Sequence, residues 1–151
     1  MLSLKGNTLL LFQYVEKHGD GLFDAIKDNG IPTHFVYGGI NSTERENIRS
    51  VVTNSEKNII VASYGTFSTG INIPNLNNLV FASPSKSRVR NLQSIGRALR
   101  TSENKTTAIL FDISDDLRTG KKLNYTLTHF KERVKIYNDE EFNYKFYNID
   151  L

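Results

Sequence analysis

The chain has 151 residues, of which 38% are hydrophobic and 23% charged, and its formal net charge is +3. These values fit one soluble globular domain with a buried core. No apolar run is long enough to cross a bilayer, the first residues do not form a secretory signal, and there is no cysteine. We therefore expect a monomeric cytoplasmic protein without disulfides, and three scattered histidines predict no metal site.

Short apolar runs that alternate with helical patterns predict the architecture. Continuous rather than alternating hydrophobicity is typical of parallel strands buried on both faces. Between the second and third runs, Thr43 and Glu46 have the spacing of a capping box that opens a helix. The pattern predicts a doubly wound α/β domain, with a mainly parallel sheet flanked by helices. The predicted strands are residues 8–12, 33–37, 58–62, 78–82 and 106–112.

The last part of the chain has a different pattern. A helical apolar stripe is followed by aromatic residues that alternate as in a strand. We expect residues 123–151 to form a C-terminal helix and strand extension that packs on the domain formed by residues 1–122. Exposed aromatics can stack on nucleic-acid bases, although burial is their commoner use. The stripe is Leu127, Phe130, Val134 and Tyr137, and the alternating aromatics are Phe142, Tyr144 and Phe146.

Residues 93–100 carry the most informative pattern. Read as a helix, which we call the arginine helix, they place Gln93, Arg97 and Arg100 on one polar face beside an apolar stripe that includes Ile95. There is no acidic residue between positions 83 and 102, so this region favours a polyanion such as phosphate. Gly96 costs stability inside a helix and often marks a close approach of backbone or ligand. A solvated helix face is the simpler alternative for an arginine run.

The chain has one part of a phosphoryl-transfer site and lacks others. Paired arginines on a helix can act as arginine fingers at a γ-phosphate. There is no Gly-x-x-x-x-Gly-Lys-Ser/Thr loop to hold a triphosphate, and no acidic pair is placed to bind magnesium. Asp115 and Asp116 follow the fifth strand but suit a turn or helix cap better. Alone, the chain is not expected to hydrolyse ATP.

Four segments resemble motifs of superfamily 2 helicases. Residues 93–100 resemble motif VI, residues 9–12 resemble motif IV, and residues 63–74 resemble motif V. Residues 37–39 together with Arg45 resemble the glycine-to-arginine segment that follows motif IV. The motifs occur in the family's order, and their sequences are most similar to those of members that act on branched DNA in phage recombination and repair. The resemblance implies that residues 1–122 are the second RecA-like domain of such an enzyme.

The resemblance implies a nucleotide site shared with another domain. Arg97 and Arg100 would reach the γ-phosphate of ATP, and Gln93 would couple that site to the rest of the motor. Gly70 and Asn72 would lie on the nucleotide side of motif V, although many members have aspartate where this chain has Asn72. ATP and Mg²⁺ would be held mainly by an N-terminal RecA-like domain, which is the implied partner.

The resemblance also implies a nucleic-acid surface formed by Gly38, Gly39, Arg45 and Ser63. Backbone amides and one guanidinium suit phosphates without reading base sequence. Ser63 stands where threonine is frequent. Two alternatives remain at this stage: a stand-alone nucleic-acid-binding module without motor activity, and an α/β domain that binds a nucleotide or metabolite anion. Retention of both Arg97 and Arg100 favours the motor, and the sequence does not distinguish DNA from RNA.

Overall fold

A computed structural model describes residues 3–68, 73, 75–82, 87, 92, 94–96, 107–118, 120 and 122–149. Each predicted strand overlaps a strand of the structure. The elements in chain order are β1 (Asn7–Phe12), a short π-helix (Val15–Gly19), α1 (Asp20–Ile26), β2 (Thr33–Val36), α2 (Ser42–Thr53), β3 (Ile59–Ser63), α3 (Tyr64–Ser68), β4 (Leu76–Phe81), β5 (Ile109–Asp112) and α4 (Tyr125–Asp139). No helix within these described residues combines the length and apolarity that crossing a membrane requires.

The strands form one five-stranded parallel sheet in the order β2-β3-β1-β4-β5. The chain moves outward from β1 to β2, returns to β3, and then passes β1 to reach β4 on its other side. Every connection between neighbouring parallel strands must cross over the sheet, which requires intervening segments such as helices. This topology confirms the predicted doubly wound α/β fold.

Both faces of the central strands β1, β3 and β4 are buried, which explains their continuous apolar runs. Successive side chains of a strand point to opposite faces. Leu10 and Phe12 of β1 pack with residues of α1, whereas Leu9 and Leu11 pack on the other side. That second side is covered by residues from three helices, namely Val52 of α2, Phe67 of α3 and Tyr137 of α4. Each large apolar side chain buried in this way stabilises the fold by roughly 2 kcal/mol.

Buried asparagines close the amino-terminal edge of the sheet. The Asn7 side chain donates to the Val52 and Asn75 carbonyls at 3.2 and 3.3 Å. It also accepts from the Asn58 side chain at 3.0 Å. Asn7, Asn58 and Asn78 are all nearly inaccessible to solvent. Buried amides need such partners because an unpaired polar group in the core is costly. This edge is therefore occupied by structural hydrogen bonds, and the carboxyl edge is the one available for ligands.

Helix α4 is attached to the carboxyl end of β5 by a buried ion pair. Arg133 donates from Nε and Nη2 to the two oxygens of Asp112, both at 2.7 Å. The Tyr137 hydroxyl donates to the same carboxylate at 2.6 Å. Burial, followed by the Asp112 charge, raises the pKa of Tyr137. The contacts join α4 to the sheet, while the boundary between residues 1–122 and 123–151 stays a prediction.

The predicted C-terminal helix is present as α4, but the strand expected after it is not formed. Residues 142–149 have no regular secondary structure. Their aromatic rings lie against α4 and one another instead: Phe142 is 6.2 Å from Tyr137, and Phe146 is 5.8 Å from Phe130, between ring centroids. The alternation thus reflects packing on a helix rather than strand pairing. Phe146 remains 62% exposed, so only part of this aromatic group is core.

Candidate functional site

The carboxyl ends of the parallel strands form the edge at which ligands usually bind in such sheets. The predicted nucleic-acid residues lie in the described part of the chain, at or near this edge. They are Gly38, Gly39, Arg45 and Ser63. The predicted nucleotide-site residues fall outside the described residues, so their roles remain predictions. They are Gly70, Asn72, Gln93, Arg97 and Arg100.

Gly38 and Gly39 form an exposed turn between β2 and α2. The turn is closed by the Ile40 amide, which donates to the Tyr37 carbonyl at 3.2 Å. A methyl group added to Gly39 would come within 2.5 Å of the Tyr37 ring, whereas one added to Gly38 would meet no described atom within 4 Å. Close packing against the Tyr37 ring therefore explains why position 39 is a glycine. Gly38 leaves its backbone open to close approach from outside.

Arg45 contacts the backbone next to this turn. Its Nη2 donates to the Ile40 carbonyl at 3.1 Å. The side chain is half-buried, and its Nε is buried without a hydrogen-bond partner among the described residues. Within the described structure, Arg45 fixes the Gly38-Gly39 turn relative to α2. The sequence resemblance placed it directly on the nucleic-acid surface, and the structure adds this supporting contact.

Helix α2 begins two residues earlier than the predicted capping box requires. The cap is Asn41, whose Oδ1 accepts from the Glu44 amide at 2.8 Å. Glu46 pairs with Arg49 at 2.6 Å instead of completing a box with Thr43. The hydrogen bond from Arg49 lowers the pKa of Glu46. Because these two charges compensate each other, Arg49 adds little positive field beside the turn.

Ser63 ends β3, and its hydroxyl is already used within the fold. Ser63 Oγ is 2.8 Å from Thr66 Oγ1 and accepts from the Thr66 amide at 3.3 Å. The residue is only 8% exposed. The side chain therefore caps α3. Contact with a ligand at this point would involve the surrounding backbone, including Gly65, which is exposed and was not predicted from the sequence.

The sheet register brings these features together. Val36 is paired with Ala62, so the Gly38 turn and Ser63 follow the ends of neighbouring strands. Neighbouring strands lie about 4.8 Å apart. Gly38, Gly39 and Ser63 thus line one short stretch of the carboxyl edge, and Arg45 contacts the backbone next to the glycine turn. No group of three potential metal ligands occurs among the described residues.

The described part of the arginine helix agrees with the predicted division of its faces. Residues 94–96 are helical. Ile95 is buried in the core, as the apolar stripe predicted. Gly96 is exposed, and a methyl group added there would meet no described atom within 4 Å. Ile95 therefore anchors this segment to the sheet, and Gly96 lies on its accessible side.

Residues 1–102 match the family described as the helicase conserved C-terminal domain. The chain belongs to this family. It is 38% identical over 155 residues to the ATP-dependent DNA helicase uvsW of Enterobacteria phage T4, a match that covers 96% of this chain and 31% of that relative. It is also 34% identical over 103 residues to the putative ATP-dependent helicase IRC3 of Saccharomyces cerevisiae, covering 68% of this chain and 15% of that relative.

Solved structures support the same relationship. The crystal structure of T4 UvsW superposes with a TM-score of 0.75 at 39% identity, covering 93% of this chain and 30% of that one. The C-terminal domain of the DEAD-box protein Dbp5 gives a TM-score of 0.68 at 16% identity, covering 92% of this chain and 72% of that one. The latter similarity shows the RecA-like fold alone. The chain is thus a RecA-like helicase C-terminal domain related to UvsW, and it spans less than a third of the length of the two relatives named above.

Proposed function

We propose that the chain is the C-terminal motor domain of an ATP-dependent DNA helicase or translocase that acts on branched DNA in phage recombination and repair. The observation that carries the proposal is that 38% identity to uvsW extends along 96% of the chain, so it includes the C-terminal extension as well as the motifs. The activity belongs to the complete protein. Its partner within that protein is an N-terminal RecA-like domain that holds ATP and Mg²⁺.

In this proposal the arginine helix serves the nucleotide. Arg97 and Arg100 stabilise the charge that develops on the γ-phosphate during transfer, which is a recurring use of paired arginines. Gln93 couples this site to the rest of the motor, and Gly70 and Asn72 lie on the nucleotide side of motif V. The burial of Ile95 and the exposure of Gly96 support a helix that presents one face outward from the sheet.

The nucleic-acid backbone lies along the carboxyl edge at Gly38, Gly39 and Ser63. Backbone N–H groups contact phosphates without distinguishing bases. The open space beside Gly38 supports such a close approach. Arg45 contributes by holding the turn in place through its bond to the Ile40 carbonyl.

Binding of single-stranded DNA by the purified chain tests this surface. We expect weak affinity without base-sequence preference, which falls with salt by about 0.7 log units per phosphate contact for each tenfold rise. Fluorescence anisotropy with labelled oligonucleotides over a series of salt concentrations measures both properties. Gly38→Asp should lower the affinity roughly tenfold, because it places a negative charge against phosphate and removes about one contact.

Ser50→Asp is the matched control, because Ser50 is also exposed and gains the same charge, but it lies near the end of α2, toward the amino-terminal edge of the sheet. This variant should bind DNA like the unmodified chain. Equal losses in the two variants, or an affinity that does not respond to salt, would contradict the proposed surface.

A further inference from the structure

An exposed aromatic side chain stands directly after the central strand. Phe12 at the end of β1 is fully buried, yet Tyr14, two residues later, is 57% exposed. The Tyr14 ring lies 5.9 Å from the His18 ring, and Lys17 Nζ is 6.0 Å from the Tyr14 ring centroid. Neither the helicase motifs nor the proposed strand surface assigns a role to this cluster.

The local backbone holds the cluster in place. The His18 and Gly19 amides both donate to the Tyr14 carbonyl, at 3.0 and 3.1 Å, and form a π-helical turn. Gly19 is required at its position because a Cβ there would lie 2.6 Å from the Phe12 ring. Packing against the core therefore fixes the turn that carries Tyr14, Lys17 and His18. Single π-helical turns are often found at functional sites.

The cluster lies at the carboxyl edge, beside the proposed strand surface. Phe12 is paired with Ser63, so the chain leaves β1 next to the point where β3 ends. β2 lies on the far side of β3, which places the Gly38 turn about two strand spacings, or about 10 Å, from the end of β1. A nucleic-acid strand that follows this edge from Gly38 past Ser63 reaches Tyr14 next.

We propose that Tyr14 stacks on a base of single-stranded DNA. This inference rests on the proposed function, because it adds a base contact to the strand held at Gly38 and Ser63. An accessible ring beside a backbone-binding groove is the usual arrangement for binding single strands without sequence preference. The exposed Glu16 and Asp20 offset the charge of Lys17, so this cluster does not attract phosphate. Its contribution to affinity therefore comes from stacking and is independent of salt.

Affinity for an oligo-dT and for a fully abasic oligonucleotide of the same length separates stacking from backbone binding. The unmodified chain should prefer oligo-dT by about tenfold, and Tyr14→Ala should abolish that preference at both low and high salt. Tyr14→Phe keeps an aromatic ring, so this variant should retain the preference for oligo-dT. Tyr125→Ala is the matched control, since Tyr125 is 80% exposed and also contacts a histidine, His129, but lies on α4 beyond β5. Thermal melting of each variant checks folding.

The outcomes separate this inference from the proposed function. If the unmodified chain binds both oligonucleotides equally and Tyr14→Ala leaves both affinities unchanged, stacking is refuted while the backbone surface stands. If Tyr14→Ala weakens both oligonucleotides equally, Tyr14 acts on the backbone surface and the stacking role is wrong. If the unmodified chain binds neither oligonucleotide, the proposed function and the stacking contact fail together. Loss of the preference in Tyr14→Phe would also overturn the inference.

Discussion

Arg100→Ala is expected to lower the DNA-stimulated ATP turnover of the complete helicase by roughly a thousandfold, with Arg97→Ala having a similar effect. A finger stabilises charge mainly in the transition state, so its removal lowers kcat while DNA affinity stays nearly intact. The free energy of unfolding should change by no more than about 0.5 kcal/mol, because a finger's guanidinium is exposed when the domains are apart. Steady-state ATPase assays, DNA titrations and thermal melting of the same variants measure these three effects.

Two further variants make this test specific. Arg100→Lys should restore little activity, because an ammonium group cannot form the planar, bidentate contacts of a guanidinium. Arg49→Ala should leave turnover unchanged, because the Arg49 side chain, which is 40% exposed on α2, pairs with Glu46. Near-normal turnover in Arg100→Ala, or loss of DNA binding ahead of turnover, would refute the arginine-finger assignment.

The largest effect on stability is expected at Arg133. Its side chain is completely buried, and its partner Asp112 is 8% exposed. Removal of one member of a buried ion pair leaves the other charge uncompensated, which typically costs 3–5 kcal/mol. Arg133→Ala should therefore remove about that much from the free energy of unfolding measured in urea. This is a large part of the roughly 5–15 kcal/mol by which a domain is stable.

Arg118→Ala provides the matched control for this loss. Arg118 pairs with Asp116 at 2.6 Å, but the two side chains are 54% and 42% exposed. Exposed pairs contribute only about 0–1 kcal/mol. Similar losses in Arg118→Ala and Arg133→Ala would show that α4 is not held to β5 by its buried pair, and would favour an extension that is dispensable for the fold.

The sheet was predictable from the sequence because its central strands contain continuous apolar runs, such as Leu9–Phe12 and Ile59–Ala62. A continuous run such as residues 9–12 by itself predicts a strand that is buried on both faces, because both sets of alternating side chains are apolar. The Asp112 and Arg133 pair was not predicted, because its members are separated by 21 residues and no local pattern links them. One usable signal was present: Arg133 and Tyr137 are one helical turn apart on α4, so both can reach the same carboxylate.

Two local details of the structure differ from the predictions, namely the cap of α2 and the strand expected after α4. Asn41, Ser42 and Thr43 are all residue types that favour the N-cap position, so residue type alone does not choose among them, and Asn41 is the cap in the structure. The position of Ser63 near the nucleic-acid backbone stays a prediction, and the structure adds that its hydroxyl caps the next helix. The tail aromatics had the period of a strand, yet period alone does not say whether a sheet edge is available to pair with them.

In the proposed function, this chain supplies half of a motor whose ATP is held by another domain. The most direct measurement is ATP hydrolysis by the purified chain, alone and joined to the N-terminal RecA-like domain, with and without DNA. We expect no turnover by the chain alone under either condition and DNA-stimulated turnover by the joined protein. DNA-stimulated hydrolysis by the chain alone, free of contaminating ATPase, would contradict the proposed function.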